Sequence, residues 1–147
     1  FTPIATLLPS DNLCDLEQEF TTNVTNRIVL IREPLMWSTQ CTLHQQVYIL
    51  EQRGAAAVII KSMDNVVTPI PGGAFNTTIP ARRIRLEIAA WIYYKIEEGT
   101  PMEAEFGCYE ETQYPLVICA IDELGDMWML DGDYQMQINA TYNGHPI

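Results

Sequence analysis

Ile28, Val29, Leu30 and Ile31 form an unbroken apolar run, the pattern of a short strand buried on both faces. Downstream, Leu43, Val47, Leu50 and the nearby Ile49 recur at helical spacing, with Ser38 or Thr39 placed to cap that helix. Gly54 stands where a helix C′ residue belongs, and residues 55–60 then give a second apolar strand. Residues 26–65 therefore predict strand, loop, helix and strand, a unit that crosses over right-handed onto one sheet. The same punctuation recurs farther along. Ile84, Ile88, Trp91, Ile92 and Ile96 supply the stripe of a second helix over about residues 85–98, ended by Gly99 with Pro101 beyond. Met102, Ala104 and Phe106 alternate with Glu103 and Glu105, which predicts a strand with one face turned inward.

The flanks read differently. Residues 1–20 predict an edge strand or extended arm punctuated by Pro3 and Pro9, then a turn over 9–12, with Leu13, Leu16 and Phe20 as apolar anchors. Residues 61–78 are a loop whose Gly72 and Gly73 signal a turn. A phosphate-binding loop needs a Lys and a following helix, and this stretch has neither. Residues 116–121 are strongly β, the 122–126 stretch turns the chain, and 127–130 make another strand. After a turn at 131–133, Tyr134, Met136 and Ile138 alternate with Gln135 and Gln137. That is a β-meander, packed on the preceding core or extending its sheet. Fold class is accordingly α/β (α+β), with two main helices.

Composition narrows the function. With 147 residues the chain is expected to be one domain that buries roughly two-thirds of its unfolded surface, and 48% hydrophobic against 18% charged residues fits a globular chain. A net charge of −11 argues against nucleic acid, whose phosphates demand clustered Lys and Arg, and against direct binding to an anionic membrane. No apolar run approaches the ~18 residues that span a bilayer. Phe1 replaces an initiator Met, as expected of a processed or excised chain. Cys14, Cys41, Cys108 and Cys119 form an even set without a C-x-x-C pair, which favours two disulfides over a zinc site and leaves three pairings open. Asn23, Asn76 and Asn139 each begin an Asn-x-Thr sequon beside a predicted turn or strand end. Together these predict a secreted, lumenal or extracellular glycoprotein carrying N-linked glycans.

Catalytic chemistry finds little to build on. His44 and His145 lack partners in sequence, and there is no Gly-x-Ser-x-Gly elbow and no His-Glu-x-x-His. Cysteines in disulfides are not nucleophiles. Glu97 with Glu98 and Glu110 with Glu111 are neighbours that point apart, hence solvated faces. Asp122, Asp126, Asp131 and Asp133 cluster around the meander turns, where calcium ligation competes with ordinary hairpin chemistry; hairpins are the favoured reading. The expectation is no enzyme, no metal and no cofactor.

Residues 26–65 also resemble the protease-associated (PA) domain, whose signature follows an apolar strand with Arg-Gly-x-Cys-x-Phe-x-x-Lys-x-x-x-Ala-x-x-x-Gly-Ala. Ile28 to Arg32 match the strand and arginine, Cys41 the cysteine, and Gly54 with Ala55 the closing pair. Leu43, Gln46 and Leu50 occupy the Phe, Lys and Ala positions, with the spacing from Cys41 onward kept. Glu33 replaces the glycine, and residues 34–40 lengthen the loop. Ile79 and Pro80, the helix, Gly99 and the strand after it resemble the family's second half, so the likeness covers about residues 12–107. It implies a PA-like β-sandwich or open barrel, with residues 1–11 as an extended arm and 108–147 as the appended meander. It also implies a Cys14–Cys41 disulfide, Cys108 and Cys119 then bridging the entry to the meander. The family is a non-catalytic module that binds proteins or peptides or modulates an attached domain. The departing loop, with Leu35, Met36 and Trp37, is the candidate interaction surface. The alternative is a structural subunit of a self-assembling extracellular fibre or coat, in which residues 1–9 add a strand to a neighbour.

Overall fold

The computed structural model describes residues 1–32, 41–63, 78–106, 118–122, 125, 127–129 and 136–138. The described residues form a mixed α/β structure. In chain order the elements are β1 (Thr2–Thr6), β2 (Ile28–Arg32), α1 (Leu43–Gln52), β3 (Ala57–Lys61), β4 (Ala81–Ile84), α2 (Leu86–Glu97), β5 (Glu103–Phe106), β6 (Ile118–Ile121), β7 (Met127–Met129) and β8 (Met136–Ile138). One sheet runs β4-β3-β2-β1-β5-β6-β7-β8. Its first four strands are mutually parallel, and every pairing from β1–β5 outward is antiparallel.

The two faces of the parallel half explain the apolar runs. Ile28, Leu30, Ala57 and Ile59 point to one side, where they pack with Ile84, with Ile88, Ala89 and Ile92 of α2, and with Met102, Ala104, Ile118 and Ala120. Val29, Ile31, Val58 and Ile60 point to the other, against Leu43, Val47 and Leu50 of α1. Alternation is absent from β2 and β3 because both faces are covered, as parallel crossovers require. Leu30, Ile59 and Ile60 are consequently sealed from solvent.

Both helices are punctuated by their sequence. Thr42 caps α1: its hydroxyl accepts from Gln45 N–H at 3.2 Å while Gln45 Oε1 accepts from Thr42 N–H at 2.8 Å. This reciprocal box, read from Thr42-x-x-Gln45, takes the capping role expected of Ser38 or Thr39, which lie outside the described residues. At the other end Ala55 N–H reaches Leu50 O and Gly54 N–H reaches Glu51 O, each at 3.0 Å, with Gly54 at φ +89°. That Schellman geometry needs a left-handed residue, which glycine adopts without steric cost. α2 ends the same way at Gly99, where Thr100 N–H reaches Lys95 O.

The expected N-terminal arm is an interior strand instead. β1 pairs in parallel with β2 from Ile4 to Thr6 and antiparallel with β5 at Thr2 and Pro3. Two prolines argued for an edge, yet Pro3 is accommodated. Ile4 N–H points to Met102 O on the β5 side (2.9 Å), so the neighbouring Pro3 nitrogen faces β2, whose ladder begins only at Ile4. No ladder bond is lost there. β6, β7 and β8 extend this sheet rather than packing on it as a separate layer.

Candidate functional site

Parallel strands in an open sheet present their carboxyl ends to a crevice, the usual location of binding sites in such folds. Here that position holds a cleft of about 480 Å³. Its walls are the continuation of β1 through Leu7, Leu8 and Pro9, the end of β2 at Leu30, Ile31 and Arg32, and Tyr93 and Glu97 of α2. Asp11 and Leu13 close the remaining side.

Arg32 is the basic residue of the cleft lining, alongside the carboxylates of Asp11 and Glu97, in a chain of net charge −11. All eight Lys and Arg of the sequence lie between Arg27 and Lys95. Arg32 and Lys61 are register partners at the ends of β2 and β3. Like charges placed opposite each other on neighbouring strands repel. Tyr93 of α2 offsets part of that repulsion. Its ring centroid lies 5.5 Å from the Arg32 guanidinium carbon and 5.7 Å from the Lys61 ammonium nitrogen. Its hydroxyl donates to Leu30 O at 3.4 Å. Burial raises the Tyr93 hydroxyl pKa above that of an ordinary tyrosine, with the Arg32 guanidinium opposing the shift. The phenol therefore stays neutral at physiological pH and serves as a platform under two cations, not as a base.

Asp11 shapes the wall facing them. It is one of the buried polar residues, and its carboxylate accepts from Leu8 N–H at 3.1 Å, Thr21 N–H at 2.7 Å and Thr22 Oγ1 at 2.8 Å. Burial pushes its pKa up, but the hydrogen bonds from Thr22 and the backbone outweigh that and hold it below the usual aspartate value. A single carboxylate thus organises the turn at 8–11 and joins it to Thr21. Cys14 is disulfide-bonded to Cys41, with Cα atoms 5.5 Å apart, and fixes the same segment to the start of α1. Arg53 fixes it to the end of that helix, donating to the carbonyls of Leu16 (2.9 Å) and Gln18 while its guanidinium covers Phe20 at 4.4 Å. The segment between β1 and β2 is held at both ends of α1.

Of the residues singled out from sequence, Cys14 and Cys41 are brought together and Asn23 is exposed in the turn before β2. Cys119 is buried in β6 and disulfide-bonded. Asp122 accepts from Trp128 Nε1 at 3.0 Å, a hairpin-bracing contact across β6 and β7, and Trp128 in turn meets Trp91 of α2 edge to face. His44 is half-buried in α1. The candidate loop residues Leu35, Met36 and Trp37, with Cys108, Asn76, Asn139, Asp126, Asp131, Asp133, Glu110, Glu111 and His145, lie outside the described residues. Sequence reasoning did not single out Asp11, Arg32 with Lys61, or Tyr93 as a group. The cation pair has a sequence signal: each apolar strand run ends in a basic residue, Arg32 and Lys61. Asp11 had only its place in a turn.

Among the described residues no helix is long and apolar enough to cross a membrane. The disulfide is consistent with an oxidising compartment. No family model matches the chain, and neither the curated proteins nor the solved structures searched contain a match.

Proposed function

We propose that the chain is a non-catalytic, PA-like module of a secreted or lumenal glycoprotein that binds a carboxylate-bearing segment of another protein in the cleft at the carboxyl ends of β1 and β2. The observation that carries this is Arg32 in the cleft lining, with Lys61, its register partner on β3, sharing the Tyr93 ring beside it. Two adjacent cations conflict with local stability, and such conflicts concentrate at functional sites. A guanidinium beside an ammonium suits an acidic side chain or a chain-terminal carboxylate. Leu7, Leu8 and Leu13 offer apolar surface for the residues flanking it. The spacing from Cys41 to Ala55 and the Cys14–Cys41 bridge support the family assignment.

Selection from a displayed random-peptide library tests the reading. Peptides retained by the wild type are expected to be enriched in Asp and Glu. They should lose about tenfold or more in affinity, or ~1.4 kcal/mol, for a folded Arg32→Glu/Lys61→Glu variant. Failure to enrich any peptide, or equal binding by the variant, contradicts it.

Self-assembly through residues 1–9 is the second reading, and the pairing of β1 weighs against its simplest form. Donating this strand to a neighbour requires breaking both the β1–β2 and β1–β5 ladders. Sizing of the purified chain separates the two: a monomer fits the binding module, and filaments fit the assembly.

A further inference from the structure

A second hollow, of about 330 Å³, lies away from the cleft, between the turn at 19–25 and the end of α1. One wall is Glu19, Phe20 and the Asn23-Val24-Thr25 sequon, and the other is Arg53. The turn is rigid from both sides. Asn26, at φ +57°, donates its N–H to Gly54 O at 2.8 Å, and Arg27 N–H reaches Val24 O at 3.1 Å. Phe20 packs against the core of the α1 face while Arg53 covers its ring. The Asn23 side chain is exposed at the mouth of the hollow, its Oδ1 accepting from Thr25 N–H at 3.1 Å.

We infer that Asn23 carries an N-linked glycan whose first N-acetylglucosamine seats in this hollow, against Phe20 and Arg53. The inference rests on passage of the chain through a glycosylating compartment and adds a structural role to that reading. The volume is at the small end of ligand pockets, the size suited to one sugar ring. The lining matches the chemistry of that sugar. Its ring C–H groups and its acetyl methyl suit the apolar surface that Phe20 gives the wall of the hollow, and its hydroxyls suit the charged groups of Arg53 and Glu19. Asparagine and aromatic ring are three residues apart in a turn whose ends are pinned, so the ring is already placed when the sugar arrives. The first sugar then ties the turn to the C-cap of α1, whereas the outer sugars project into solvent and contribute nothing to the hold.

The test uses the full chain in an Asn76→Gln/Asn139→Gln background, made in a glycosylating host that adds oligomannose glycans. Three forms are compared by thermal melting: untreated, trimmed by an endoglycosidase to the single N-acetylglucosamine, and stripped by an amidase. The untreated and trimmed forms should melt together, and the stripped form about 2–4 °C lower. In a Phe20→Leu background, which keeps an apolar residue in the core, the loss on stripping should shrink to under about 1 °C. Intact-mass analysis reads occupancy. An unmodified Asn23 overturns the compartment reading and the inference with it. A modified Asn23 whose trimmed and stripped forms melt alike with Phe20 in place, or a loss on stripping that Phe20→Leu leaves undiminished, overturns the sugar seat alone.

Discussion

Asp11 is the residue on which the cleft wall depends. Three donors converge on its carboxylate, Leu8 N–H, Thr21 N–H and Thr22 Oγ1, and hydrogen bonds to a charged acceptor are worth about 1.5–3 kcal/mol each. Asparagine offers one acceptor oxygen in place of two, so Asp11→Asn should cost about 1–3 kcal/mol at pH 7, measured by urea unfolding. Because the folded pKa is depressed, the carboxylate's contribution is fully present above the ordinary aspartate pKa of ~3.9 and is lost as pH falls through the lower folded value. The gap between wild type and Asp11→Asn should therefore be constant from pH 7 to 5 and narrow below pH ~4. A gap as wide at pH 3 as at pH 7 contradicts the assignment. Gly54 makes a second residue-level prediction. At φ +89° its Gly54→Ala variant should lose about 1 kcal/mol, although an added Cβ has room at 3.5 Å from Thr25. Asp11 was not legible in the sequence. Its partners lie 3, 10 and 11 residues away across a turn without periodicity, so nothing local marked it.

At the scale of elements, the parallel unit was the easiest part to read and the capping of α1 the part most easily misplaced. β2, α1, β3 and α2 follow from apolar runs and helical stripes because two covered faces leave an unbroken pattern. The α1 start was mistaken because Ser38 and Thr39 are good capping residues by type. Thr42 wins because Gln45 closes the reciprocal box. Thr42→Ala should destabilise by about 1 kcal/mol and lower helicity, visible in circular dichroism melts. The brace along α1 makes a larger prediction. Cys14 and Cys41 are separated by 27 positions, and a loop of that length contributes about 3–4 kcal/mol in the chain-entropy account. Replacing both by serine should lower the urea midpoint accordingly while leaving the sheet folded. Loss greater than this would mean the segment between β1 and β2 depends on the bridge for more than chain entropy.

Among the described residues, the placement of β1 joins a parallel α/β half to an antiparallel run of strands and sets one wall of the cleft. Sequence could not assign that placement, because strand order in a sheet is fixed by long-range pairing. Thr2–Thr6 carries one buried aliphatic residue, Ile4, between polar and proline positions, a pattern equally suited to an edge. The cleft was equally hidden, since its walls come from β1, β2, α2 and the 8–13 turn, brought together only by that strand order. The claim that this cleft binds a carboxylate-bearing segment is tested most directly by amide chemical-shift mapping of the isotopically labelled protein titrated with a library-selected acidic peptide. The account predicts saturable shifts confined to residues 6–13, 30–32, 61 and 93–97 and abolished in the Arg32→Glu/Lys61→Glu variant. Shifts centred elsewhere, such as β4, or shifts unchanged by the charge reversal, would contradict it.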